Sequence, residues 1–166
     1  MSDSSTCPFH VAIIGGGITG LSLAIALHAR SIPFTLYERS PGFGEIGAGI
    51  GFSPNAEAAM AGIDSRLLEA YSRVANPNGD DYFKWVDGYR TGEVMFKLYL
   101  GKDGFRACKR AEFLEEVAKL VPKEKVKFGK QLRDIQKAEG GRVRTLFDDG
   151  TTAETDVGTS YFASPL

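Results

Sequence analysis

Residues 10–27, HVAIIGGGITGLSLAIAL, run from an apolar segment through a glycine turn into a helical pattern. His10–Ile14 is a short continuous apolar run, as expected of a strand covered on both faces. Ile18–Arg30 carries Leu21, Leu23, Ala24, Ile25, Ala26 and Leu27, which predicts a largely buried helix with Arg30 near its end, where a cation suits the dipole. Pro33 prevents further helix, and Phe34–Glu38 reads as a second strand. Between the first strand and the helix, Gly15, Gly17 and Gly20 fit G-x-G-x-x-G, and Glu38 follows 18 residues after Gly20. Each part has a physical reason. Gly15 permits a sharp turn off the strand, Gly17 lets a pyrophosphate approach bare backbone, and Gly20 lets the helix pack closely. The helix N-terminus adds free N–H groups and partial positive charge. A carboxylate at Glu38 accepts from the hydroxyls of an adenosine ribose and repels a 2′-phosphate, which disfavours NADP in this site. FAD and NAD both carry the ADP moiety, so the turn alone does not separate them.

Working outward, the stretch after the second strand, RSPGFGEIGAGIGFS, holds Gly42, Gly44, Gly47, Gly49 and Gly51 and reads as a loop too glycine-rich for a packed element. Ser53-Pro54 then predicts a helix start, with Ser53 as N-cap, running to about Ala61 and stopping at Gly62. A second helix is expected over Asp64–Tyr71. From Asp80 the residues become strand formers. Tyr82, Phe83, Trp85 and Val86 precede DGYRTGE, and Val94, Phe96, Leu98 and Tyr99 follow it, which predicts a hairpin. Tyr82, Phe83, Trp85, Tyr89 and Tyr99 are candidates for substrate contact, with strand core the commoner reading of such residues. KRAEFLEEVAKLVP is an amphipathic helix with Phe113, Leu114, Val117 and Leu120 on its apolar stripe. Strands are then expected at Val126–Phe128, Leu132–Lys137, Val143–Phe147 and Thr152–Val157, with turns at Gly140-Gly141 and Asp149-Gly150.

Composition removes several classes. The 166 residues include 20 basic and 21 acidic side chains, for a net charge of -1, which gives no electrostatic case for nucleic acid or an anionic membrane. Cys7 and Cys108 form no CxxC pair, and only His10 and His28 accompany them, so a metal site is not expected. The first eight residues lack the basic and apolar regions of a secretory signal. The longest apolar run falls short of the ~20 residues that span a bilayer. These features predict a soluble, cytoplasmic protein.

Four segments, in order, resemble the flavin-dependent aromatic hydroxylases, the salicylate-hydroxylase-like group A monooxygenases. They are residues 10–60 as a whole, EIGAGIGFSPNA within them, DYFKWVDGYRTGEV, and CKRAEFLEEVAKLVP. The likeness runs from His10 to about Val157 and is nearest to fungal members that modify polyketide phenols. It implies an α/β fold, a Rossmann-like FAD-binding βαβ unit with an added antiparallel β region. It implies FAD as cofactor, NAD(P)H as transient reductant, O2, and a small aromatic substrate. By resemblance Gly15, Gly17 and Gly20 would line the pyrophosphate, Glu38 would hold the ribose, and Arg39 would lie along the adenine end. Gly47, Ala48 and Gly49 would run beside the flavin. Arg110 matches the helix arginine that reaches the ribityl or phosphate region, with Lys109 where the family often has histidine.

The resemblance also implies segments not seen here. A family strand leading into G-A-D-G should follow TAETDV, and this sequence reads GTSYFASPL instead. The expected organisation is therefore a disordered 1–9, a partial FAD-binding domain over 10–157, and a divergent tail over 158–166. On this reading the chain is a truncated monooxygenase, inactive alone because solvent reaches the flavin. Two alternatives stand beside it. One is a non-catalytic FAD- or ADP-binding fragment, or half of a split enzyme with a complementing C-terminal chain. The other is an NAD-dependent Rossmann dehydrogenase. No catalytic base is identified.

Overall fold

The computed structural model describes residues 9–43, 48–102 and 104–160. The chain divides into two units, Met1–Gly44 with Val117–Leu166, and Glu45–Glu116.

The first unit is built on a parallel sheet. Strands β1 (Val11–Ile14) and β2 (Phe34–Tyr37) flank helix α1 (Ile18–Ala29), and the sheet order is β12-β1-β2-β8, with β8 at Val126–Lys127 and β12 at Val157–Ser160. Val11 pairs with Phe34 on one side and with Val157 on the other, both parallel. The two strands around α1 therefore complete a βαβ unit. All four residues of β1 are buried, as a strand covered on both faces requires. α1 packs against β1 and β2 on one side, burying Leu21, Ala24 and Ile25. On the other side Ala12 and Ile14 pack with Phe147, Tyr37, Leu132 and Ala153 beneath a three-stranded antiparallel sheet. That sheet has the order β11-β10-β9, from β9 (Leu132–Lys137), β10 (Val143–Phe147) and β11 (Thr152–Thr155). The Gly140-Gly141 and Asp149-Gly150 turns fall where expected, with φ of +68°, +78° and +80° at Gly140, Gly141 and Gly150.

The expected single strand over Thr152–Val157 is instead two. Asp156 interrupts it: its backbone N–H and that of Val157 donate to the His10 carbonyl (3.1 and 3.3 Å), while its carboxylate accepts from His10 N (2.8 Å). The chain thereby leaves the antiparallel sheet and enters the parallel one. Residues 158–160 belong to β12, so the expected boundary after Val157 falls inside a strand.

The second unit holds the sheet β3-β7-β4, formed by β3 (Gly49–Phe52), β4 (Asn76–Pro77) and β7 (Arg106–Lys109), and a two-stranded hairpin of β5 (Tyr82–Val86) and β6 (Val94–Tyr99). Helices α2 (Pro54–Ile63) and α3 (Ser65–Val74) follow β3, and α4 (Arg110–Ala118) follows β7 without a break. Ser53 is the N-cap of α2 as expected, but its hydroxyl donates to Asn55 Oδ1 rather than capping the helix. Asp64 caps α3 by accepting from Arg66 N at 2.9 Å. Phe52, Tyr71 and Phe113 meet edge-to-face, with centroids 5.2–5.8 Å apart, at the centre of this unit. The Tyr71 hydroxyl accepts from Phe52 N (3.3 Å) and donates to the Arg106 carbonyl (2.5 Å).

Two expectations fail here. The glycine-rich stretch is not all loop, because Gly49–Phe52 pairs with β7. Gly51 is packed: a Cβ there would lie 2.0 Å from the Phe105 ring. The hairpin forms around the expected turn, but every residue of β5 and β6 is exposed, so its aromatic residues are not core.

Candidate functional site

The glycine turn sits between β1 and α1. Gly15 has φ +102°, a conformation that favours glycine, and its N–H donates to the Tyr37 carbonyl at 2.8 Å. That bond ties the turn to the end of β2. A Cβ on Gly20 would lie 1.9 Å from the Gly15 carbonyl oxygen and 3.4 Å from Ile13 Cγ2. The third glycine of the motif is therefore dictated by backbone approaching backbone. Gly17 is the N-cap of α1, with extended backbone at ψ −176°; it supplies no side-chain cap, and the first turn carries no acidic residue. The leading N–H groups of α1 are left for an anion.

Glu38 follows β2 directly and is half-buried. Its Oε2 accepts from Gly16 N at 2.5 Å and its Oε1 from Ser40 N at 2.8 Å. An ionised carboxylate has about four lone-pair positions, so both oxygens retain capacity for a ribose hydroxyl. Backbone bonds frame this residue from β8 and the residues after it: Glu38 N donates to Lys127 O (2.9 Å), Lys130 N to Glu38 O (2.9 Å), and Gly129 N to Ser40 O (3.2 Å). Arg39 is exposed beside it. Phe43 lies over the turn, its ring 2.7 Å from where a Gly16 Cβ would stand, and meets Phe128 edge-on at 4.9 Å. Gly15, Gly17, Gly20 and Glu38 are thus brought together as the spacing predicts. Gly16, Ser40 and Phe43 were not singled out by sequence. The middle glycine of a triplet is the one signal that pointed there.

In the second unit Ala48 and Gly49 meet Arg110. Gly49 pairs with Lys109, and Arg110 N donates to the Ala48 carbonyl at 2.9 Å, extending the β3–β7 ladder by one bond. Ala48 and Gly49 are exposed and Arg110 is half-buried. A Cβ on Gly49 would make an ordinary van der Waals contact with Cys108 O at 3.9 Å. Gly47 lies outside the described residues. Lys109 pairs with Glu112 at 2.8 Å, which raises its pKa by hydrogen bonding.

Among the described residues the titratable groups offer no evident nucleophile. Burial, then the nearby Glu112, pushes the Cys108 thiol up, which keeps it protonated and inert at neutral pH. Burial likewise raises Tyr37. Among the described residues no cluster of three or more His, Cys, Asp or Glu side chains is placed to hold a metal. Among them, too, no helix is long and apolar enough to cross a membrane.

Residues 13–45 match the NAD(P)-binding Rossmann-like domain family. The chain is 52% identical over 153 residues to the FAD-dependent monooxygenase pigN of Monascus ruber, covering 88% of this chain and 35% of that protein. It is 39% identical over 162 residues to a salicylate hydroxylase of Sarocladium schorii, covering 90% and 34%. A solved salicylate hydroxylase substrate complex superimposes with a TM-score of 0.74 at 27% identity, over 94% of this chain and 36% of that one. The chain therefore spans about a third of the length of the curated relatives it matches. Over that span the chain is similar to fungal FAD-dependent monooxygenases, a salicylate hydroxylase among them.

Proposed function

We propose that this chain is the FAD-binding portion of a monooxygenase that hydroxylates an aromatic, phenolic substrate of the polyketide-derived kind, with NAD(P)H as reductant and O2 as oxidant. One observation carries the reading: a glycine turn of the required shape, with Glu38 poised beside it, in a chain 52% identical to an FAD-dependent monooxygenase. The residues fit the cofactor's ADP half. Gly15, Gly17 and Gly20 leave bare backbone at the α1 N-terminus for the pyrophosphate. Glu38 keeps lone pairs for the ribose, and Arg39, exposed beside it, is assigned to the adenine end by sequence resemblance. Gly47, Ala48, Gly49 and Arg110 are assigned to the flavin half by sequence resemblance, and the common ladder end shared by Ala48, Gly49 and Arg110 supports treating those three as one group. FAD supplies the oxygen-activating chemistry, and the chain's own residues bind and orient it.

The dehydrogenase alternative has less support. The next strands after β2 pair antiparallel, β3 with β7 and β5 with β6, before the chain returns to the parallel sheet at β8. Titrating the chain with FAD and with NAD separates the two. Quenching of flavin fluorescence that an excess of NAD does not reverse is expected. Binding of NAD alone would overturn the FAD reading.

A further inference from the structure

We infer that Glu38 acts on the bound nucleotide in two ways: as a ribose acceptor, and as a clamp that fixes the shape of the glycine turn through the Gly16 amide. The inference rests on the dinucleotide reading above and goes beyond it, because the clamp acts where no nucleotide is touched. Glu38 and Gly16 are 22 residues apart, yet the carboxylate accepts the Gly16 N–H at 2.5 Å. Its other oxygen takes Ser40 N at 2.8 Å, so the side chain cannot swing without breaking one bond or the other. Bonds from charged acceptors to backbone N–H are stronger than neutral ones. Three further features hold the clamp. Gly15 N is fixed to Tyr37 O, one residue before Glu38. The Glu38 backbone is bonded on both sides to Lys127 and Lys130. Phe43, braced by Phe128, lies over Gly16 and keeps water from the clamped amide.

The geometry also explains the second glycine of the triplet. A Cβ there would stand 2.7 Å from the Phe43 ring and 3.0 Å from Glu38 Oε2, so a side chain would displace Phe43 and crowd the clamp. Because Oε2 takes the Gly16 N–H, the amides left to face a diphosphate are those from Gly17 onward. Glu38 thereby directs the anion to the α1 N-terminus.

The clamp and a ribose-only role predict opposite results. The probe is 2′,3′-dideoxy-ADP, which keeps the diphosphate and lacks both hydroxyls, titrated against the full chain and its Glu38→Gln and Glu38→Ala variants. Amide exchange at Gly16 is followed in the free chains. If Glu38 only contacts ribose, dideoxy-ADP binds the Glu38→Ala variant as well as wild type, or more tightly once a negative charge is gone, and Gly16 exchange is unchanged. Either result overturns the clamp. The clamp predicts that Glu38→Ala weakens dideoxy-ADP at least several-fold and speeds Gly16 exchange about tenfold or more, the scale of a lost charged hydrogen bond. Glu38→Gln, with one carbonyl oxygen for two amides, falls between. Absence of ADP binding by wild type would overturn the dinucleotide reading instead, while exchange at Gly16 would still decide the clamp.

Discussion

The parallel sheet of the first unit and the β5–β6 hairpin of the second are both rich in strand formers, yet they are stabilised differently. In β1 every side chain is buried, between α1 on one face and the antiparallel sheet on the other. Every residue of β5 and β6 is exposed, and Phe83, Trp85, Phe96 and Leu98 line one side of the ribbon at 40%, 45%, 57% and 44% exposure. The sheet is held by burial, at about 1.5–3 kcal/mol for each large aliphatic side chain. The hairpin is held by its ladder and by cross-strand pairs such as Trp85–Phe96, 5.3 Å apart, and Tyr82–Tyr99, also 5.3 Å apart. Such pairs contribute about 0.2–1 kcal/mol each. Strand propensity chooses the backbone conformation, and a covering layer decides what it is worth.

Truncating one apolar residue in each region should expose this difference. Ile13→Ala, at a fully buried position, should destabilise the chain by about 4 kcal/mol, read by chemical denaturation. A loss below about 1 kcal/mol would mean that the sheet is not the stabilising core. Gly20→Ala comes next. Its Cβ would meet the Gly15 carbonyl, so the turn must open, at about 3 kcal/mol and with loss of ADP binding by calorimetry. Retained affinity would show that the close approach of α1 is dispensable. Phe96→Ala should cost less than about 1 kcal/mol, because the residue is 57% exposed, and should lower the binding of a hydrophobic dye. A cost approaching that of Ile13→Ala would place the hairpin within a core.

The smallest effect lies in the β10–β11 turn. Asp149 accepts from Lys130 and from Thr151, which holds its pKa down, from 3.8 to about 2. A depressed carboxylate pKa contributes stability that is present above its unfolded value and is lost as pH falls through about 2. Titration followed by carboxyl NMR should therefore give a midpoint near 2. Lys130→Met should move it up toward 3.8. An unchanged midpoint would remove Lys130 as the cause.

Much of the first unit was legible because its physics is local. The glycine turn, the α1 pattern and the Glu38 spacing each lie within a few dozen residues. The strands at 132–137 and 143–147 fall where they were expected, on either side of the Gly140-Gly141 turn. What stayed hidden depends on distant partners. The Glu38–Gly16 bond and the Phe43–Phe128 contact depend on how β2, β8 and their loops come together, which periodicity does not encode. Strand β7 was missed because RACK has neither alternation nor β-branched residues, and it runs straight into α4. The break at Asp156 was hidden because a run of strand formers does not say which sheet it joins. The aromatic residues of the hairpin were read as core because propensity and burial usually coincide, and here they part.

The pairing of β1 with β12 has a consequence for how the molecule is made. Strand β1 is bonded along one side to residues 157–160, and His10 to Asp156 across 146 positions. Closing so large a loop is entropically slow, and topologies of this kind fold late. During synthesis the apolar edge of β1 therefore waits, half covered by β2, until almost all of these residues have emerged, and in that interval the nascent chain is most in need of a chaperone.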